Sequence, residues 1–259
     1  MALLVAAAKA KELGARPNLM GHSRSINTLI TTYREPPMIK VISFKICPFF
    51  QYVTAMLEAK HIPYEVEYAD FDNCLFDVSP NGKAPLLIAE SGEVLFDSDA
   101  IVRFLDERYE GLYQAPTPEK QALLEAWANY GSKNLVPQCS TMHSSDETNF
   151  EQHWSIFGKA LINIEKQLGK GKYFFGDTLS RVDIAWLPIL HRAWLVEKKT
   201  GYDFFKSFPL VKTWQKQILA LDWLDKTVSD DFEAVFNNFY LSKGFLAGFS
   251  SKTTIERDD

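Results

Sequence analysis

The chain has 259 residues, of which 46% are hydrophobic and 24% charged, the balance of an ordinary globular protein. A formal net charge of −5 argues against a general nucleic-acid binder, whose binding face would be basic. No apolar run approaches the roughly 18 residues that span a bilayer, so an integral membrane protein is also excluded.

The cysteines and histidines indicate neither a disulfide framework nor a metal site. The three cysteines, Cys47, Cys74 and Cys139, are odd in number and widely spaced, which favours free thiols in a reducing compartment. The five histidines are scattered, and no Cys/His group has zinc-site spacing. We therefore expect a cytoplasmic protein without a bound metal.

Residues 1–37 differ in composition from the rest of the chain and form a predicted N-terminal extension. Up to residue 36 they are basic, poor in acidic residues and rich in Ser and Thr. That composition is compatible with an organelle presequence, which would place the protein in an organelle. Two alternatives stay open: an N-terminal arm packed on the domain, or an upstream start codon, with Met38 opening the domain.

Residues 38–110 alternate between strand and helix patterns. Short β-branched or alternating runs predict strands, and apolar residues at helical spacing predict the helices between them. The predicted strands are 39–44, 64–68, 86–88 and 94–96; the predicted helices are 49–60 and 97–109, with a short irregular helix after the second strand. This order indicates a small α/β layer domain, in which the last two strands form a hairpin.

A linker stiffened by prolines, residues 111–117, precedes a second half in which every pattern is helical. Helices are predicted at 119–136, 150–168, 181–198, 210–221 and 230–240. Residues 118–240 are therefore assigned to an all-α domain. Residues 241–259 are assigned to a C-terminal tail, whose polar end from residue 250 is expected to fray.

The run Cys47-Pro48-Phe49-Phe50 places a cysteine where the first strand gives way to a helix. Unpaired N–H groups and the positive dipole end of a helix stabilise an anion, so we expect a lowered thiol pKa at Cys47. The alternative is an inert buried cysteine that happens to precede a proline. Phe50 occupies the position of a second redox cysteine, which excludes a Cys-x-x-Cys cycle.

Two further turns precede a strand and a helix. Ala84-Pro85 leads directly into the third strand, and by base rate alone its peptide bond is expected to be trans. Asp97-Ser98 opens the helix after the hairpin, either as a plain N-cap or as a terminus that also offers N–H groups to a ligand carboxylate.

A third signal lies in the helical half, where Ser180 and Asp183 have the spacing of a capping box. Such a box stabilises the first turn of a helix. We interpret it as a folding signal without a catalytic role.

Taken together, these motifs resemble the glutathione transferase superfamily over roughly residues 38 to 225. Each motif is weak alone, but their order along the chain is specific as a set. The run Cys47-Pro48-Phe49 is similar to the omega-type and related cysteine classes, and not to the tyrosine or serine classes.

The resemblance implies a thioredoxin-like N-terminal domain that binds glutathione, followed by an all-helical domain. Cys47 would form a mixed disulfide with glutathione, with Pro48 and Phe49 beside it. Pro85 would be a cis-proline, contrary to the base rate, and the backbone of Ala84 would pair with the cysteinyl part of glutathione.

The same resemblance assigns the two ends of glutathione and an acceptor pocket. Asp97 and Ser98 would hold the γ-glutamyl end, and Lys83 is a candidate for the glycyl carboxylate. Trp127 and Tyr130, on one face of the first long helix, would line a substrate pocket between the domains, unless they belong to the core. A homodimer is expected because relatives are often dimers.

These expectations favour a glutathione-dependent thiol transferase or reductase with Cys47 as its nucleophile. Candidate substrates are protein or small-molecule glutathione adducts, dehydroascorbate and glutathionyl aromatics. Two alternatives stay open: a non-catalytic binding or scaffold protein that resembles the chloride intracellular channel proteins, and an enzyme that conjugates glutathione to electrophiles.

Overall fold

The computed structural model of the protein describes residues 38–69, 79 and 82–250. The predicted N-terminal extension, Cys74, the short irregular helix after the second strand and residues 251–259 lie outside this part of the chain.

A four-stranded sheet forms the first half of the described structure. Its strands are β1 (Ile39–Ser43), β2 (Tyr64–Tyr68), β3 (Leu86–Ile88) and β4 (Val94–Phe96), in the spatial order β2-β1-β3-β4. β1 pairs with β2 in parallel, while the β1–β3 and β3–β4 pairs are antiparallel. Residues in β1 alternate between buried and half-buried positions, as expected of a strand that packs one face on a core. All four strands begin and end within one residue of their predicted positions.

Two helices pack with this sheet. α1 (Pro48–Ala59) connects β1 to β2, and α2 (Ser98–Arg108) follows β4. Proline is well suited to the first position of α1, because its missing N–H group has no partner there in any helix. The middle of α1 is completely buried, which places this helix between the sheet and the helical half of the protein.

The second half of the described chain is helical. Its helices are α3 (Pro118–Met142), α4 (Glu147–Gln167), α5 (Arg181–Thr200), α6 (Pro209–Leu219), α7 (Phe232–Phe236) and α8 (Ala247–Ser250). The central helix is α5, which begins at the predicted capping box of Ser180 and Asp183 and is buried along most of its length. Gly131 lets α3 approach α5 closely, since a Cβ atom there would lie 2.7 Å from Cδ1 of Trp186. The predicted combination of a thioredoxin-like sheet domain and an all-helical domain is confirmed.

α3 ends six residues beyond its predicted C-terminal end, and it continues through Pro137. A proline inside a helix removes one backbone hydrogen bond, which is why the prediction stopped at residue 136. The extension is stabilised by packing: Gln138, Thr141 and Met142 are buried, and the Gln138 side chain donates to the Ile189 carbonyl of α5 at 2.8 Å.

The end of the chain departs further from the prediction of one helix at 230–240. A 3₁₀ turn (Leu224–Thr227) precedes α7, and a π-helical turn (Asn237–Leu241) follows it. Part of the expected tail is also ordered against the helical half. Phe245 packs on Phe150 with ring centroids 4.7 Å apart. Among the described helices, none is both long and apolar enough to cross a membrane.

Candidate active site

The register of the sheet brings three chain segments to the same end of the domain. Ile42 near the end of β1 pairs with Leu86 at the start of β3, and Leu86 in turn pairs with Phe96 at the end of β4. The turn after β1, the residues before β3 and the residues after β4 therefore meet at one edge. These are the three segments that carry the predicted cysteine, proline and acidic motifs.

Cys47 lies at the N-cap position of α1, as predicted from the strand-to-helix transition. Its backbone is extended, its N–H group donates to the Phe44 carbonyl at 3.0 Å, and its carbonyl accepts from the Gln51 N–H group at 3.4 Å. Pro48 follows as the first helical residue, and both residues are half-buried beside Phe49. The thiol therefore lies at the N-terminus of α1.

The lowered pKa expected of the Cys47 thiol is wrong for this structure. Burial raises the pKa of this thiol, because the thiolate loses hydration. The backbone of Phe50, the Ser43 hydroxyl, the backbone of Phe49 and the charge of Arg192 act in the opposite direction without outweighing burial. The helix terminus stabilises the thiolate as predicted, but the local pattern says nothing of the desolvation that competes with it.

The peptide bond between Ala84 and Pro85 is cis, as the resemblance implies and contrary to the base rate. Pro85 is buried at the start of β3, while Lys83 is exposed. The turn before them is closed by Ser79, whose hydroxyl donates to the Lys83 carbonyl at 3.1 Å. The backbone of Ala84 therefore lies at the same sheet edge as the cysteine turn.

Asp97 is the N-cap of α2, and its Oδ1 accepts from the N–H groups of Asp99 at 3.1 Å and Ala100 at 3.2 Å. Its backbone φ is +71°, in the region that non-glycine residues rarely occupy. Ser98 is buried, and the Ser132 hydroxyl of α3 donates to the Asp99 carboxylate at 3.0 Å. The start of α2 is thus tied to the helical half, next to the sheet edge that carries the other motifs.

Trp127 and Tyr130 line a different feature, a groove of about 320 Å³ between α3 and α4. The two rings contact each other at 5.6 Å, and Asn163 of α4 donates to the Tyr130 hydroxyl at 3.0 Å. Tyr130 also packs on Trp186. The structure does not bring this pair to the sheet edge of Cys47, since none of the residues that line the groove belongs to that edge.

Gln51, which the sequence patterns did not single out, lies one turn into α1 and joins three segments. Its Nε2 atom is 2.8 Å from Nδ1 of His191 and donates to the Thr227 hydroxyl at 3.1 Å. Its Oε1 atom accepts from Nη1 of Arg192. Burial lowers the pKa of His191 to about 3, so this ring is neutral and its Nδ1 atom accepts from Gln51.

Cys139 and Tyr240 were also missed, although Cys139 was counted among the free thiols. Cys139 is half-buried on α3, and Tyr240 is buried on the π-helical turn. Burial raises the pKa of the Cys139 thiol, and the charge of Arg192 and the Tyr240 hydroxyl lower it. Both residues interact electrostatically with Cys47, which places them around the same site. A helical position and a lone cysteine give no local signal for this arrangement.

Two family models match the chain, one described as the glutathione S-transferase N-terminal domain at residues 46–108 and one as the C-terminal domain at residues 147–216. The first match includes the cysteine, proline and acidic motifs. The second includes the capping box at the start of α5.

Individual proteins are similar over a larger share of the chain. A rice protein described as probable glutathione S-transferase DHAR1, cytosolic, is 30% identical over 185 residues, which cover 70% of this chain and 83% of that protein. A second rice protein, probable glutathione S-transferase DHAR2, chloroplastic, is 28% identical over 71% of this chain and 65% of its own length. In the crystal structure of glutathione transferase Omega 3C from Trametes versicolor, the match has a TM-score of 0.64 at 22% identity and covers 76% of this chain and 92% of that one.

Proposed function

The chain belongs to the glutathione S-transferase family, and on this basis we propose that it is a glutathione-dependent thiol transferase or reductase. One observation carries the proposal: a half-buried thiol, Cys47, lies at the N-terminus of α1, at the sheet edge that also holds cis-Pro85 and the Asp97 cap. A serine or tyrosine at that position could only stabilise the thiolate of glutathione. A thiol can instead exchange with a disulfide of glutathione and carry the glutathionyl group itself.

The proposed reaction is a pair of thiol–disulfide exchanges. The Cys47 thiolate attacks the glutathionyl sulfur of a mixed disulfide, a new S–S bond forms to Cys47, and the substrate leaves as a thiolate that takes up a proton. A second glutathione, as thiolate, then attacks the Cys47 adduct and leaves as oxidised glutathione, restoring the Cys47 thiolate. Each step needs an attacking thiolate and a leaving thiol of low pKa.

Glutathione is proposed to bind along the sheet edge. The backbone of Ala84, before Pro85, would pair with its cysteinyl part. Asp97 and Ser98 at the start of α2 would hold the γ-glutamyl end: the helix N-terminus would bind its carboxylate, since helix N-termini bind anions, and the Asp97 carboxylate would pair with its ammonium group. Lys83, exposed on the same turn, would meet the glycyl carboxylate.

The relatives support the redox form of this activity. The designation DHAR of the rice proteins denotes dehydroascorbate reductase, so dehydroascorbate is a proposed substrate besides glutathione adducts. These two relatives are described as cytosolic and chloroplastic. Both a cytoplasmic and an organellar location are therefore compatible with the proposal.

The proposal predicts that oxidised glutathione adds to Cys47. After incubation and removal of excess reagent, intact-mass analysis should show the gain of one glutathione, and peptide mapping should place it on Cys47. The variant Cys139→Ser should still gain the adduct at Cys47, while Cys47→Ser should not. An adduct found on Cys74 or Cys139 alone, or none at all, would contradict the proposal.

Asp97 is predicted to act both as a helix cap and as a ligand for glutathione, and two substitutions separate these roles. Asp97→Ala removes the acceptor for two N–H groups and should destabilise the protein by about 1 kcal/mol, measured by thermal unfolding. Asp97→Asn keeps a capping oxygen and should be nearly as stable as the parent. Both variants should bind glutathione more weakly, because the carboxylate is lost in each. If Asp97→Asn retains the parent's glutathione affinity, the residue is a cap only.

A further inference from the structure

A buried guanidinium group lies against the turn that carries Cys47. Arg192 of α5 has no exposed surface. Its Nη2 atom donates to the carbonyl of Ile46 at 3.2 Å, and its Nη1 atom donates to Gln51. Ile46 immediately precedes Cys47, and Gln51 lies in the first turn of the helix after it. The two hydrogen bonds join Arg192 to residues on either side of Cys47 in the sequence. They therefore hold the guanidinium group against the cysteine turn.

This charge has no carboxylate partner within residues 38–69, 79 and 82–250, where none of the ion pairs involves Arg192. Its Nε atom also has no hydrogen-bond partner in that part of the chain. The second buried arginine of α5 is different, because Arg181 pairs with both Glu125 and Asp106. A buried cation without a counter-ion is costly to hold, since it has lost its hydration. The charge of Arg192 is therefore available to stabilise an anion that forms beside it.

The groups able to supply that anion are two thiols and a phenol. The electrostatic partners of Arg192 are Cys139 on α3, Tyr240 on the π-helical turn and Cys47 on α1. The adjacent His191 is neutral, because burial lowers its pKa to about 3, and so it adds no second charge. The Tyr240 phenol has a higher ordinary pKa than the two thiols, and burial raises it further, so the thiols ionise first. The two thiols remain as candidates for the anion, and the N-terminus of α1 additionally stabilises a thiolate at Cys47.

We propose that Arg192 is the positioning residue whose buried charge stabilises the thiolate of Cys47. The proposal rests on the thiol-transfer function given above and explains how a thiol in a desolvated site becomes reactive. When the thiol ionises, its proton goes to solvent and the thiolate forms beside the guanidinium. When the disulfide to glutathione forms, the negative charge leaves with the departing thiolate. Because one cation serves both cysteines, a thiolate at Cys47 opposes ionisation of Cys139, and the site holds one thiolate at a time.

The test measures the rate at which iodoacetamide alkylates Cys47 as a function of pH, read by mass spectrometry of its peptide. Arg192→Met and Arg192→Gln remove the charge, and the midpoint of the pH profile should rise by about 1–3 units, as expected when an opposite charge is lost nearby. At a pH below both midpoints, each unit corresponds to a tenfold slower reaction. Arg192→Lys keeps the charge without the planar fork and should restore part of the shift.

A matched control removes a charge that is close to Cys47 along the chain but exposed. Lys45 pairs with Asp231 at 2.7 Å on the surface, where water screens the charge. Lys45→Met should therefore leave the midpoint of Cys47 within about 0.3 units of the parent. A midpoint unchanged in Arg192→Met, in a protein that still melts cooperatively, would overturn the proposal.

The parent protein decides the question if neither neutral variant folds. Blocking Cys47 with a neutral carbamidomethyl group leaves the Arg192 charge to Cys139, so the alkylation midpoint of Cys139 should fall. Independent midpoints for the two thiols would overturn the proposal. Because alkylation needs no glutathione, a shift in the variants together with no glutathione adduct in the parent would uphold the role of Arg192 and refute only the thiol-transfer function.

Discussion

Replacing Cys47 by serine should abolish glutathione-dependent thiol transfer, with a loss on the order of a thousandfold or more. A serine hydroxyl cannot form a disulfide, so the covalent intermediate on which both exchange steps depend is absent. The measurement is the rate of glutathione release from a glutathionylated peptide, and of dehydroascorbate reduction, at saturating glutathione.

The fold of Cys47→Ser should be intact, because the substitution changes one atom at a half-buried N-cap position. Thermal unfolding and binding to immobilised glutathione provide the controls. Activity equal to that of the parent would show that Cys47 is not the nucleophile. A serine variant that gains conjugation of glutathione to an aromatic electrophile would instead support the conjugation alternative.

The largest loss of stability is expected from Asp183→Ala. The carboxylate is completely buried and accepts four hydrogen bonds. Oδ1 accepts from the Phe174 N–H group and from Nε1 of Trp214, both at 2.8 Å, and Oδ2 accepts from the N–H group and hydroxyl of Ser180 at 2.8 and 2.6 Å. Its removal leaves four buried donors without a partner at the start of the central helix.

We expect Asp183→Ala to lower the free energy of unfolding by about 4 kcal/mol, because each unsatisfied buried group costs about 1–3 kcal/mol and neighbouring effects are not additive. Denaturant unfolding, monitored by circular dichroism, measures this loss in the free energy of unfolding. The matched control is Asp146→Ala, which removes an exposed N-cap of α4 and should cost about 1 kcal/mol. Equal losses in the two variants would show that the buried network of Asp183 adds nothing beyond a cap.

The strands and most helices follow directly from short-range patterns in the sequence. The alternation at 64–68 and the turn between 88 and 94 are local signals, and the structure reproduces both elements without a shift. Pro137 misled the prediction because the packing that carries α3 past it comes from α5, which lies about 50 residues further along the chain. Local pattern has no access to such contacts.

The candidate site was predictable only in part. Cys47, Pro85 and Asp97 each carry a turn or cap signal, and the sheet register then brings them together. Arg192 and Tyr240 carry no local signal, since one is an arginine in a helix and the other a tyrosine near the chain end. Their role depends on contacts between segments more than 100 residues apart.

Trp127 and Tyr130 illustrate a different limit. Their spacing correctly predicts a shared helix face, and the rings do touch. Spacing does not say which neighbour that face meets. Cys139 lies nine residues after Tyr130, about two and a half turns, so the two side chains leave α3 on opposite sides. The side that carries Cys139 is the one that shares electrostatic contacts with Cys47.

The surroundings of Cys47 include segments that are synthesised long after it. Thr227, in the 3₁₀ turn at Leu224–Thr227, supplies the hydroxyl that accepts a hydrogen bond from Gln51. The ring centroid of Phe232 lies 5.2 Å from Cζ of Arg192. A nascent chain that has folded only as far as α6 would hold its thiol in an unfinished, hydrated environment. Translation order thus delays the mature chemistry of the thiol until the 3₁₀ turn and α7 have been synthesised and packed.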